Sequence, residues 1–186
     1  MSSRNTVRPS IHEEPSGIVA VARHYIRDLV YGANDGLITT FAVVAGVTGG
    51  GLSPRAMLII GAANLFADGL SMGVGNYLGI RSNESALAAQ GRPEEEAHPF
   101  RHGLATLLAF VFAGAVPLTP YVFAAGGPQL AGSLALTFIM LFAVGALRAA
   151  VTVDRWWIAG SEMLALGAAV AVAAYGSGYV VARLLG

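Results

Sequence analysis

The sequence predicts an all-α membrane protein with five transmembrane helices, and its composition is the first reason. Of the 186 residues, 55% are hydrophobic and only 12% are charged, whereas a soluble domain carries roughly 25% charged residues. The mean hydropathy of +0.62 points the same way. The apolar residues also gather into long blocks, and a spanning helix needs about 20 mostly apolar residues.

Five apolar blocks divide the chain, and clusters of Gly, Pro and polar residues separate them. The stretch 1–17 has no apolar core of the kind found in a signal peptide. We therefore expect a disordered cytoplasmic tail there, followed by one transporter domain over 18–186. Pro117 and Pro120 predict a kink or an end in the third helix. The predicted spanning helices are about 25–48, 54–79, 102–125, 129–150 and 156–185.

The arginines predict the orientation, because the cytoplasmic segments of membrane proteins carry an excess of positive residues. With five spans, nine of the eleven basic residues fall on one side, and only Arg55 and Arg183 fall on the other. The N-terminus is therefore expected in the cytoplasm. The chain lacks Lys and is rich in Ala and Gly. That usage is typical of a GC-rich bacterial genome, so we expect the bacterial inner membrane.

The same composition excludes several function classes. The net charge is zero, which predicts no nucleic-acid partner. The lack of Cys excludes disulfides and thiolate metal ligands. Sequence motifs for a nucleophile elbow, a phosphate-binding loop or a paired-His metal centre do not occur. We therefore expect neither an enzyme nor a resident cofactor, and any metal would need Asp, Glu, Asn, Met, His or backbone oxygen as ligands.

Two aspartates lie at bilayer depth, where charged side chains are costly and mark functional sites. Asp35 lies in the first block and Asp68 near the middle of the second. The second block repeats a polar or thioether side chain every four residues, a spacing that places them on one helix face. A site that combines oxygen ligands with a thioether favours Fe(II), Mn(II), Co(II) or Zn(II) over Mg(II) or Ca(II). The predicted metal ligands are Asp35, Asp68, Met72 and Asn76, with Asn64 one turn before Asp68.

These residues also have a plainer interpretation. A Met on a membrane helix is most often a packing residue, and an Asn can simply hydrogen-bond across helices. Glycines four residues apart let helices approach closely and would bring Asp35 and Asp68 together, although glycine is common in membrane helices. The glycines with this spacing beside the two carboxylates are Gly32, Gly36, Gly69 and Gly73.

Other carboxylates are candidates for the mouth of a pore. Asp28 lies two turns before Asp35. Glu162 lies near the cytoplasmic end of the fifth helix, where it either lines the mouth or lies at the membrane interface. The polar connection 81–103 either collects cations at the entrance or is a solvated loop with acids at a helix start. Its titratable residues include Glu84, Glu94, Glu95, Glu96, His98 and His102.

Two long segments resemble the vacuolar iron transporter family. RDLVYGANDGLITTFAVVAGV at 27–47 is similar to the family's first-helix signature, and ADGLSMGVGNYLGIRSNE at 67–84 to its second. The resemblance implies five helices and a homodimer with a pore between the protomers. It further implies export of Fe²⁺, and often Mn²⁺, from the cytosol in exchange for protons. By motif match, Asp35 would be a pore carboxylate and Met72 a thioether ligand, with Asp68 one turn away.

Two departures from the family pattern affect this expectation. The connection from Ile80 to about Gly103 replaces the long, glutamate-rich cytoplasmic metal-binding domain of well-studied members. The chain therefore looks like the short-loop branch, similar to nodulin-like and bacterial members. Asn76 stands where many members have Glu, which removes one pore charge. We expect a bilayer-embedded metal exporter, and the alternatives are a passive cation channel, a proton pathway or a non-transporting scaffold subunit.

Overall fold

The computed structural model describes residues 9–123, 128–149 and 152–185. The first eight residues of the predicted tail lie outside this description, as do residues 124–127, which fall at the end of the third predicted helix. The described residues form six α-helices and one 3-10 helix, Val116–Leu118. The α-helices are α1 (Ile18–Gly49), α2 (Pro54–Ala89), α3 (Pro99–Gly114), α4 (Thr119–Phe123), α5 (Gln129–Arg148) and α6 (Trp156–Leu185).

Five stretches of helix are long and apolar enough to cross a membrane, which confirms the predicted number of spans. The third of these stretches is Pro99–Phe123, which contains α3, the 3-10 helix and α4. Large apolar side chains such as Phe112, Ile139 and Val172 are exposed on the outside of the bundle. Exposed apolar side chains suit contact with lipid, and the chain is an integral membrane protein.

The first two helices are longer than a bilayer requires. α1 has 32 residues and α2 has 36, so they measure about 48 and 54 Å at 1.5 Å per residue. The hydrocarbon core of a bilayer is only about 30 Å thick. Both helices therefore extend beyond the membrane, and their long ends can carry polar chemistry.

The second helix continues past the predicted end at residue 79. Residues 80–89 are polar enough to end the hydropathy signal, yet they remain helical because Glu84 and Leu87 are buried against the rest of the structure. α3 starts at Pro99, where proline is tolerated in the first turn of a helix. The predicted loop 80–103 is thus corrected to a short connection over 90–98.

The described part of the predicted disordered tail is ordered against this connection. Ser10 forms a parallel bridge with Glu94. The backbone N–H of Ile11 donates to the Glu94 carbonyl at 2.9 Å, and the Glu94 N–H donates to the Pro9 carbonyl at 2.8 Å. A disordered tail was expected over 1–17, whereas residues 9–11 pair with the connection through their backbone.

The third span is broken near its far end, as its prolines predict. The 3-10 helix contains Pro117, and α4 contains Pro120. A proline has no N–H to donate and clashes with the preceding turn, so a regular helix cannot continue there. The Ser133 hydroxyl on α5 donates to the Pro117 carbonyl at 2.7 Å inside the bundle.

The first helix lies at the centre of the bundle and packs against α2, α3, α5 and α6. A Cβ atom at Gly32 or Gly36 would collide with the backbone of α3. On α2, a Cβ at Gly73 would lie 2.8 Å from the carbonyl oxygen of Gly103 on α3. The four glycines singled out in the sequence thus face α3, not one another: Gly32, Gly36, Gly69 and Gly73.

Candidate functional site

The two intramembrane aspartates lie near each other on different helices. Asp35 on α1 and Asp68 on α2 are both half-buried, and Asp68 is the charged group that acts on the Asp35 carboxylate. Thr39, one turn after Asp35, donates its hydroxyl to the Asp35 backbone carbonyl at 2.7 Å. Thr39 therefore donates to the Asp35 backbone and not to its carboxylate.

The polar stripe on α2 divides into two parts. Asn64 donates to the Asp68 carboxylate at 2.7 Å, so the side chains four residues apart do share one face. Met72, one turn further, is half-buried and also packs against a cluster of buried apolar side chains. The Met72 side chain thus contributes to packing, and Met72 lies one helical turn from Asp68.

Asn76 belongs to a different group of residues. Its amide nitrogen donates to Asp28 on α1 and to Thr106 on α3, both at 2.8 Å. These contacts direct the Asn76 side chain towards the end of the bundle where α1 begins. The structure therefore places Asn76 with Asp28, and not in one ligand set with Asp35 and Asp68.

Asp28 is a buried carboxylate with partners on three sides. Its side chain is 2% exposed, and one carboxylate oxygen lies 2.5 Å from Nδ1 of His102 on α3. The other oxygen accepts from Asn76 and lies 3.5 Å from the Arg27 guanidinium. A buried charge is strongly destabilising unless it is paired and hydrogen-bonded, and these contacts satisfy that requirement.

All four histidines of the chain belong to two clusters at the end of the bundle that contains Asp28. The inner cluster consists of His24, Glu96 and His102, and the outer cluster of His12, Glu14 and His98. Within the outer cluster, His98 Nε2 lies 2.5 Å from a Glu14 carboxylate oxygen. The rings of His12 and His24 are 5.8 Å apart and connect the two clusters.

Glu96 holds the inner cluster together. Its Oε2 lies 2.9 Å from His102 Nε2 and 3.4 Å from His24 Nε2. Burial alone would raise the pKa of Glu96, but the pKa lies below its ordinary value because the His98 backbone N–H donates to it and His102 and His12 stabilise the anion. Glu96 is thus an ionised carboxylate in contact with imidazole rings.

The inner cluster opens into a cavity of 570 Å³ between the ends of α1, α2 and α3. Glu84 shapes its wall, because its carboxylate accepts the backbone N–H groups of Glu95 and Glu96 at 3.2 and 2.8 Å. The cavity reaches from the connection 90–98 down to Asp28 and Asn76. Its lining includes His24, Asp28, Gly75, Asn76, Gly79, Asn83, Glu84, Glu95, Glu96 and His102.

The acids predicted for a pore mouth do not all lie together. Asp28, Glu95 and Glu96 line the cavity, whereas the backbone of Glu94 pairs with the N-terminal segment. Glu162 is exposed and lies 3.2 Å from Arg148, on a separate cavity of 430 Å³ beside Asn34.

The sequence reasoning missed His24, and it treated His102 as part of a loop. His24 carried a readable signal, because it precedes Asp28 by four residues on α1 and the two therefore share a helix face. The convergence of His24 and His102 on Glu96 depends on how α1 and α3 pack, and no local pattern encodes that.

Comparison with known proteins identifies a family whose sequence profile covers most of α1, the whole of α2 and the connection after them. The sequence profile of the VIT family matches residues 26–97 and 84–179, which is most of the chain. The chain belongs to the VIT family. The predicted resemblance is thereby confirmed, and this VIT-family chain carries Asp35, Asp68 and Met72 inside the matched region.

Relatives of this VIT-family chain differ in how much of it they cover. A vacuolar iron transporter of Toxoplasma gondii is 39% identical over 71 residues, which is 38% of this chain and 24% of that protein. The chain thus spans about a quarter of that relative's length. Vacuolar iron transporter 2 of Oryza sativa subsp. japonica is 25% identical over 213 residues, 83% of this chain and 87% of that protein. Vacuolar iron transporter homolog 5 of the same plant is 34% identical over 109 residues, about half of each chain, at 54% and 52%.

Proposed function

We propose that this VIT-family chain exports divalent transition metal ions, Fe²⁺ or Mn²⁺ or both, from the cytosol in exchange for protons. The observation that carries the proposal is the pair of half-buried carboxylates, Asp35 and Asp68, on two membrane-spanning helices. Within the described part of the chain, neither carboxylate forms an ion pair with an Arg or a His. A bound cation would supply the missing positive charge.

The ligand chemistry supports a transition metal as the cargo. Asp35 and Asp68 offer carboxylate oxygens, and Met72 offers a thioether one turn from Asp68. Hard ions such as Mg²⁺ and Ca²⁺ prefer oxygen alone, whereas a thioether suits softer ions. The relatives named vacuolar iron transporters favour iron within this class.

A homodimer would complete the proposed pathway. Beside the Asp68 stripe, α2 exposes small side chains every four residues: Ala67, Ser71, Gly75 and Gly79. A Cβ at Gly75 or Gly79 would have nothing within 4 Å in a single chain. Small residues at this spacing let membrane helices approach closely. A second copy against this face would enclose the half-exposed carboxylates between the protomers.

Proton exchange follows from the same ligands. A carboxylate must be deprotonated to bind a metal, so metal binding and proton binding compete at Asp35 and Asp68. The excess of arginine at the ends of α1, α2 and α3 near the cavity favours the cytoplasm on that side. Metal would then enter by the cavity, and protons arriving from the opposite side would release it.

Flux in proteoliposomes tests the proposal. We expect the wild-type chain to carry Mn²⁺ or Fe²⁺ faster when protons can flow down their gradient in the opposite direction. Asp35→Asn and Met72→Ala should reduce the metal flux to background. Glu162→Gln and Met140→Ala are matched controls, because these side chains lie on other faces of the bundle, and they should keep wild-type flux. Wild-type rates in Asp35→Asn and Met72→Ala would contradict the proposal.

The same assay separates the alternatives. Metal flux that ignores the proton gradient would indicate a passive channel. Proton flux without metal flux would indicate a proton pathway. Absence of both metal flux and proton flux would indicate a non-transporting scaffold subunit, which could bind a partner through its glycine-rich helix faces.

A further inference from the structure

We propose a second transition-metal site in the inner cluster, with His24, Glu96 and His102 as its ligands. The site lies at the end of the bundle where α1 begins, outside the pair of intramembrane carboxylates. Its existence stands on the geometry below, while its role as the place where metal is first captured rests on the proposed function.

The donor atoms of the inner cluster already have the spacing of a metal site. One ligand atom from each residue lies within 4.8 Å of the other two. His24 Nε2 is 3.4 Å from Glu96 Oε2. Two ligands at about 2.1 Å from a tetrahedral ion are about 3.4 Å apart. An ion would therefore fit between these donors with small side-chain adjustments.

Asp28 prepares His102 to be a ligand. The contact of 2.5 Å between the Asp28 carboxylate and His102 Nδ1 places the proton of a neutral imidazole on Nδ1. The lone pair is then on Nε2, which faces Glu96. This carboxylate–histidine pairing is the arrangement that orients metal-binding histidines and raises their basicity.

The facing nitrogen of His102 lacks a satisfactory partner. The side chain is 8% exposed, and its Nε2 makes no hydrogen bond of acceptable geometry, although Glu96 Oε2 is only 2.9 Å away. A metal ion bound between His102 Nε2 and the Glu96 carboxylate would give this buried nitrogen a partner.

The ligand set indicates the class of metal, and the cavity gives its route of access. Imidazole nitrogen with one carboxylate suits Fe²⁺, Mn²⁺, Co²⁺ or Zn²⁺, whereas Mg²⁺ and Ca²⁺ prefer oxygen ligands. All three ligands line the 570 Å³ cavity, which also reaches Asp28 and Asn76. An ion can thus enter from the cavity and lie next to the polar residues that lead into the bundle.

Co²⁺ binding to the full-length chain in detergent tests the site, because the visible spectrum of Co²⁺ changes when imidazole replaces water. The chain should carry Asp35→Asn and Met72→Ala, so that the intramembrane ligands do not contribute. We expect one Co²⁺ per chain in that background. His24→Gln and His102→Gln should each abolish the spectrum, and His98→Gln in the outer cluster should keep it.

His24→Gln and one further variant, Asp28→Asn, keep the test decisive. His24 is one-quarter exposed, at 24%, so His24→Gln reports on binding even if loss of His102 leaves Asp28 unpaired and unfolds the chain. Asp28→Asn should weaken Co²⁺ binding by about 10- to 100-fold, as for other residues that orient a metal-binding histidine. Unchanged Co²⁺ binding in His24→Gln, or its loss in His98→Gln alone, would overturn the proposal.

The binding assay and the flux assay test the two proposals independently. Co²⁺ binding that depends on His24, in a chain that moves no metal, would support this site and contradict the proposed transport. Normal metal flux in a chain whose Co²⁺ spectrum ignores His24 and His102 would contradict this site and leave the transport proposal intact.

Discussion

At the scale of single residues, α1 carries two aspartates that differ in burial and in their charged neighbours. Asp28 is almost completely buried and has His102, Asn76 and Arg27 as partners. Asp35 lies seven residues deeper, is half-buried, and has a second carboxylate, Asp68, as its charged neighbour. Asp28 therefore meets the requirements of a buried carboxylate. Asp35, which has no ion pair with an Arg or a His among the described residues, is the candidate to bind a cation.

The stability contribution of the Asp28 network can be measured at Asn76. Asn76→Ala removes hydrogen bonds to Asp28 and Thr106 and leaves a buried carboxylate oxygen less satisfied, which costs about 1 to 3 kcal/mol. We expect a lower midpoint of thermal unfolding in detergent. Asn83→Ala is the matched control, since Asn83 is an exposed residue on the same helix and cavity. Equal midpoints for the two variants would show that Asn76 does not support Asp28.

At the scale of elements, α3 joins the two helices that carry the intramembrane carboxylates. Glycines on both α1 and α2 lie against its backbone or side chains, so the close approach that the glycine spacing predicted is made through α3. The remaining small residues of α2, on the face that holds Ser71, are exposed. That face is where we expect the second copy.

Cysteine cross-linking tests this face directly, because the natural chain contains no Cys. We expect Ser71→Cys and Ala67→Cys to form disulfide-linked dimers in membranes under mild oxidation, since small residues at a dimer axis bring the two backbones close. Val172→Cys, on an exposed face of α6 where the native side chain is 75% exposed, should stay monomeric. Cross-linking through Val172→Cys but not through Ser71→Cys would move the dimer interface away from α2.

Element boundaries show what the sequence could and could not predict. Hydropathy located five spans, and the prolines predicted the break in the third, because both signals are local. The continuation of α2 to Ala89 was missed because a helix that leaves the membrane loses its apolar signal and keeps its backbone hydrogen bonds. The order of residues 9–17 was missed because it depends on pairing with Glu94, more than eighty residues away.

At the scale of the whole molecule, the polar residues of α1 and α2 form two layers, one near the start of α1 and one deeper in the membrane. Asp28 on α1 contacts Asn76 on α2, and deeper in the bundle Asp35 lies within electrostatic range of Asp68. His24 precedes Asp35 by eleven residues, which is about 16 Å along the helix axis. The cavity, the Asp28 level and the intramembrane carboxylates thus follow one another from the start of α1 into the membrane.

The candidate site was predicted in part for the same reason. Helical periodicity and the signature segments identified Asp35, Asp68 and Met72, because each lies in a motif that one helix contains. The inner cluster was not predicted, because His24 and His102 belong to helices that meet only in the folded bundle. Periodicity gives the face of a helix, and only packing decides which other helix that face meets.

We expect Asp35, Asp68 and Met72 to hold the transported cation inside the membrane. Anomalous diffraction from crystals of the full-length chain soaked in Mn²⁺ tests it most directly, with an Asp35→Asn crystal as the control. We expect an anomalous peak within bonding distance of the Asp35 and Asp68 carboxylates, next to the Met72 sulfur, and its loss in the control. Anomalous density confined to the inner cluster, with none between Asp35 and Met72 at saturating Mn²⁺, would contradict the claim.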